Sequence, residues 1–178
     1  MPEYKQVVRP NYFVGKILTA ADFQQEQEYH REKSRRHNRF LHGWGVVSGL
    51  DVHIEDNATV IVSPGLALDC AGNELVLTAP EKMSLSCVTG KHYLTIRYRE
   101  SPGGEQPSLH EESHFSRIDE DVLIELARAN PAEDHPGMGA GSPGCGLSHA
   151  ICLAAFSQRS GNWRITLAKR SLLPRNRI

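Results

Sequence analysis

Residues 9–50, RPNYFVGKILTAADFQQEQEYHREKSRRHNRFLHGWGVVSGL, are the stretch on which the architecture turns. They read as a lead-in loop, one long polar helix, and a Gly43-Trp44-Gly45 turn that passes the chain to a run of strands. Thr19 is a good N-cap, Asp22 can reach back to it as a capping box, and Leu18 and Phe23 flank the cap as a hydrophobic staple. From Ala20 to His42 there is neither Gly nor Pro, and Ala, Gln, Glu, Arg, Lys and Leu dominate. Glu26 and Glu28 precede Arg31, Lys33, Arg35, Arg36 and Arg39, the order that suits the helix dipole. A full apolar face is missing. Phe23, His30, His37 and Leu41 make a narrow stripe at near-heptad spacing, with Tyr29 and Phe40 beside it. The spacing therefore predicts a helix that lies on a sheet or between subunits.

At 178 residues the chain fits one domain with a usable core, divided into a lead-in loop and helix at 1–43 and a β region at 44–178. A net charge of -1 gives no overall field to draw in nucleic acid or an anionic membrane. Charge is segregated, basic at 31–39 and 164–177 and acidic over most of 100–134, which reads as solvated faces or as head-to-tail contacts. No apolar run approaches the roughly 20 residues of a membrane span, and the first five residues do not open a signal peptide. The expectation is a cytoplasmic chain. Cys70, Cys87, Cys145 and Cys152 lack a framework spacing, so reduced thiols are the default.

After the helix, 44–54 alternates as a strand, 58–63 is a second, and 66–70 with 74–77 make a hairpin around Ala71-Gly72-Asn73. Asp69 is placed to accept backbone N–H groups of that turn. Residues 92–99 alternate with Arg97 and Arg99 on the polar face. The 100–114 stretch breaks the pattern and reads as an exposed loop, 118–127 returns to strand, and the Gly/Pro-rich 130–148 reads as a long surface loop. Residues 149–156 and 163–167 form a last hairpin around Ser160-Gly161-Asn162. The fold class is thus mainly β (α+β), an antiparallel barrel or sandwich of about 7–8 strands behind one N-terminal helix, with a meander favoured.

Chemistry is harder to find. His30 and His37 stand two helical turns apart, about 10 Å at a 1.5 Å rise, too far to share a metal, and His42 lies beside them. Cys145 and Cys152 with His149 between them lack a C-x2-C knuckle; a zinc site or a disulfide would need the fold to gather them. There is no nucleophile elbow, and Gly45–Leu50 enters a strand instead. There is no phosphate-binding glycine motif. Glu111, Glu112, Asp119, Glu120 and Asp121 sit in polar sequence as solvated charge. Arg31, Arg35, Arg36 and Arg39 with Tyr29 and Phe40 resemble a groove-binding helix, but Glu26, Glu28 and Glu32 dilute the patch. No catalytic, cofactor or metal residue emerges.

The segment R-P-N-Y-F-x-G-K-x-L-T-A-x-D-F-x-x-E-Q-x-Y-H-R-E-K, continued by H-N-R-x-L-H-G-W-G-V-V-x-G-L, resembles a largely uncharacterised bacterial family associated with phage-tail-like and extracellular contractile injection systems. Residues 62–77, VSPGLALDCAGNELVL, are similar to a hairpin common in phage tail and baseplate proteins. The resemblance implies a non-enzymatic structural or adaptor component that binds copies of itself or sheath, tube or baseplate subunits. On that reading it forms homo- or hetero-oligomers and can leave the cytoplasm inside an extracellular particle. The candidate partner surface is the helix with its turn, through Phe23, Tyr29, His30, Arg36, His37, Phe40, Leu41 and an exposed Trp44. The alternative is a small β-barrel enzyme or a ligand- or metal-binding domain.

Overall fold

The computed structural model describes residues 7–56, 58–86, 88–106, 114–131, 144–159 and 161–168. Helix α1 spans Ala20–His37 and continues into one π-helical turn, Asn38–His42. Among the described residues ten strands follow: β1 Gly45–Gly49, β2 Val52–Ile54, β3 Thr59–Val62, β4 Gly65–Leu68, β5 Glu74–Leu77, β6 Glu81–Ser84, β7 His92–Gln106, β8 His114–Ala127, β9 Ile151–Arg159 and β10 Asn162–Leu167. They form three sheets in the orders β1-β4-β5, β2-β3-β6 and β10-β9-β7-β8, and every pairing is antiparallel. The fold is mainly β with one N-terminal helix, sandwich-like, and the described strands close no barrel.

The expected meander gives way to an interleaved order. The pairs β2/β3, β4/β5, β7/β8 and β9/β10 are sequential hairpins, whereas β1/β4, β3/β6 and β7/β9 join strands distant in sequence. The cause lies at Gly49 and Leu50, both in the left-handed region with φ of 58° and 54°. A Cβ at Gly49 would stand 2.1 Å from the Pro64 carbonyl oxygen, so only glycine lets the two chain segments cross there. The single strand expected over 44–54 therefore splits. Its first half pairs with β4 and its second with β3.

Side-chain alternation builds the core. In β3, Val60 and Val62 point inward, and across from them stand Leu75, Leu94, Ile96, Ile151, Leu153 and Phe156 in one apolar cluster. Phe156 packs edge-to-face on Trp163 with ring centroids 6.5 Å apart. Arg97 and Arg99 take the solvent face of β7 as their alternation predicts.

Two expectations about strands are corrected. Residues 100–106, read as loop, extend β7 as a ribbon against β8, with Pro102 opposite Ile118 and Gln106 opposite His114. Among the described strands β9 pairs with β7 only over 92–96, so the β7 edge beyond Ile96 has no described partner and a proline there costs no described ladder bond. Strand β6 went unread because, of its four residues, only Met83 turns inward, leaving no apolar alternation to see. In the expected loop at 130–148, residues 132–143 lie outside the described residues, as do Glu111, Glu112, Cys87 and the basic tail from 169.

Candidate interaction surface

The helix begins as its sequence dictates. The Asp22 N–H donates to Thr19 Oγ1 at 3.3 Å, the Thr19 N–H donates to Asp22 Oδ2 at 3.0 Å, and Lys16 Nζ stands 2.8 Å from Asp22 Oδ1. Lys16 first, and then Thr19, hold the Asp22 carboxyl far below the usual carboxylate range. Upstream, Tyr12 donates to Glu26 Oε2 at 2.5 Å, a bond that raises the phenol's pKa. These polar contacts lay the arm of residues 7–18 beside the first turns of α1.

Along α1 no residue is buried. Among the described residues its closest seat is at the C-terminal end. Arg35 Nε donates to Asn73 Oδ1 at 2.6 Å, and the buried Asn38 donates through Nδ2 to the Gly72 carbonyl at 3.0 Å. Gly72 has φ +89°, and a Cβ there would meet the Arg35 carbonyl oxygen at 2.2 Å, so the helix backbone rests directly on the β4–β5 turn. Beneath it, buried Asp69 accepts from the Ala71 and Asn73 N–H groups, the Asn73 amide and the Ser148 hydroxyl at 2.7–2.9 Å. This is the turn role its sequence position predicts, with Ser148 as a further partner. Glu100 of β7 adds ion pairs to Arg31 at 3.4 Å and Arg35 at 3.7 Å and accepts from Tyr98. Burial first, and Glu100 second, push the Tyr98 phenol pKa up.

A helix clamped by polar bonds at one end leaves apolar surface uncovered. Val14 is fully exposed, Ile17 is 86% and Phe13 66% exposed, and Val7, Val8, Tyr12 and Leu18 are all exposed too. Phe23, near the start of α1, and Leu41, in the π turn at its far end, are exposed as well. Contiguous exposed apolar side chains mark interaction sites more than isolated ones do.

The other residues proposed from sequence divide. His30 is exposed and meets half-buried Tyr29 edge-on, centroids 5.1 Å apart; Phe40, half-buried, lies under the Arg39 guanidinium at 4.8 Å. Arg36 is half-buried. His37 and His42 approach with Nε2 atoms 3.2 Å apart, because the π turn carries the chain round in five residues. Regular helical spacing could not have suggested that pair. Trp44 is corrected: only 4% exposed, it belongs to the core with Val46 and Leu50, since the turn around Gly43 directs it inward. The arm residues Val8, Phe13, Val14 and Ile17 were missed. Their signal was apolar content in a segment belonging to no periodic element.

The remaining chemical candidates find ordinary roles. Asp121 pairs with Arg99 at 2.6 Å and Asp119 with Arg117 at 2.9 Å on the exposed ribbon. Arg31 and Arg35 are occupied by Glu28, Glu32 and Glu100, which leaves less free positive charge on the helix than its sequence offers. Cys152 is buried in β9, while exposed Cys145 lies against Cys70. Among the described residues, no group of three or more His, Cys, Asp or Glu could hold a metal ion.

No family model matches the chain, and no curated protein matches it. Its fold is similar to that of a chain in the cryo-electron-microscopy structure of the TssK-TssF-TssG baseplate subcomplex of a type VI secretion system, at 13% identity and a TM-score of 0.54, over 90% of this chain and 60% of that one. A chain of the type VI secretion system baseplate complex, at 14% identity and TM-score 0.48 over 91% and 58% of the two chains, is more distant. So is the crystal structure of TssK, at 15% and 0.48 over 90% and 41%. The chain thus spans less than two thirds of the length of each of these three chains.

Proposed function

We propose that this chain is a non-enzymatic structural or adaptor component of a phage-tail-like contractile injection particle, seated in or near its baseplate and acting by protein–protein assembly. The observation that carries the reading is the arm of residues 7–18 with α1, an apolar and aromatic surface outside a core that is complete without it. Such anchors acquire binding energy when a partner covers them. The fold likeness to a baseplate chain and the 9–50 segment support the same reading from separate directions. The chain is made in the cytoplasm on this reading and leaves it inside the particle.

A tagged copy expressed in its native cell and captured at moderate salt tests this. Co-purification of sheath, tube or baseplate proteins, identified by mass spectrometry, is the expected result. Recovery of the chain alone, or with metabolic enzymes, overturns it.

A further inference from the structure

We propose that Cys70 and Cys145 form a redox-modifiable pair that oxidation converts to a disulfide, stapling residues 144–148 to the turn that seats α1. The placement comes from backbone geometry. Cys145 lies between Gly144 and Gly146, and both contact Cys70. A Cβ on Gly144 would stand 2.7 Å from the Cys70 Cα, and the Gly146 N–H donates to the Cys70 carbonyl at 3.1 Å. A disulfide needs Cα atoms about 4.4–6.8 Å apart, and a residue pinned on both sides against Cys70 is held in that neighbourhood. Three residues after Cys145, Ser148 Oγ donates to Asp69 Oδ2 at 2.7 Å, fixing the same segment to the residue before Cys70. The Cys145 sulfur is itself held, accepting from the Leu147 N–H at 3.5 Å.

The two thiols have unequal access. Cys145 is exposed and Cys70 buried. Burial first, and Cys145 as its neighbour, push the Cys70 thiol up to about 12, so Cys70 is not the sulfur that meets a reagent in solution. Cys145 is. With a small-molecule disulfide as oxidant, Cys145 loses its proton to solvent and attacks one sulfur, forming a mixed disulfide and expelling one thiolate. Cys70 then gives up its proton and attacks the Cys145 sulfur, expelling the second thiolate. Two protein thiols are oxidised as the reagent disulfide is reduced to two thiols, and atoms and electrons balance.

The product ties the segment at 144–148 to the Asp69–Asn73 turn beneath Arg35 and Asn38, so oxidation stiffens the seat of the helix. In a reducing compartment the pair stays open.

The purified full-length protein, freed of reductant, is incubated with oxidised glutathione, quenched in acid, denatured, alkylated and weighed. The expected product is two hydrogens lighter and carries no glutathione. Two of its four cysteines alkylate, and a digest contains the 70–145 cross-linked peptide. Closing a loop of about 75 residues raises Tm by about 5–15 °C. Cys70→Ser should trap glutathione on Cys145, and Cys145→Ser should abolish both bridge and adduct. Four alkylated cysteines, a glutathione adduct that persists on the wild type, or a bridge between other cysteines overturns the proposal.

Discussion

Between Ala20 and His37 no side chain is buried, whereas β7 and β9 bury Leu94, Ile96, Ile151, Leu153 and Phe156 completely or nearly so. The first region is held by bonds: a capping box, ion pairs, and the Arg35 and Asn38 contacts to the β4–β5 turn. Area holds the second. Polar bonds return about 1 kcal/mol net each, while a fully buried large side chain contributes about 1.5–3 kcal/mol. The strands therefore carry the stability and the helix carries surface, and the same chain presents apolar side chains in both places for opposite reasons.

That contrast breaks most visibly by substitution in the two regions. Phe156→Ala should cost about 3–5 kcal/mol in urea unfolding, because its ring fills the centre of the cluster against Trp163. Phe13→Ala should change the same transition by less than about 0.5 kcal/mol despite removing the same ring. Equal losses would mean that the arm is core.

The junction between the regions gives the next effect. Gly72→Ala places a Cβ on the Arg35 carbonyl at a left-handed φ, with an expected cost of about 1–3 kcal/mol. Amide exchange should quicken in α1 while β7 and β9 stay protected; uniform loss would show that helix and sheet unfold as one unit. Thr19→Ala removes the cap acceptor and should cost the helix about 1 kcal/mol, read from helical ellipticity, with β signal unchanged.

The smallest effect is on pH. The folded carboxyl of Asp22 sits below its unfolded value of about 3.9, so its contribution is present above that pH and fades as pH falls below it towards the folded value. Helical ellipticity should drop between about pH 4 and pH 2 ahead of the β signal, and Asp22→Asn should flatten that early drop. An unchanged profile in the variant would remove the cap from this role.

The sequence made the helix start legible because a capping box is local: Thr19 and Asp22 are three residues apart and need nothing else. Strand alternation at 92–99 and the Asp69 turn were equally local. What stayed hidden depended on distant partners. Pro102 reads as a breaker unless one knows that β9 stops at Ile96's partner, and Gly49 reads as part of one strand over 44–54 unless one knows that Pro64 crosses it. Trp44 was misjudged for the same reason, since the direction of a side chain after a positive-φ glycine is set by the sheet it joins. The arm was overlooked because exposed apolar residues outside a repeat carry no periodic signal.

The proposed function makes the arm and α1 an assembly surface carried on the β fold. It is tested most directly by a variant with Phe13, Phe23 and Leu41 all replaced by serine, compared with wild type for co-purification with particle proteins and for far-ultraviolet circular dichroism. The account predicts a β signal and unfolding midpoint close to wild type together with loss of at least nine-tenths of the captured partners. Undiminished capture by a folded variant, or collapse of the β signal, would contradict it.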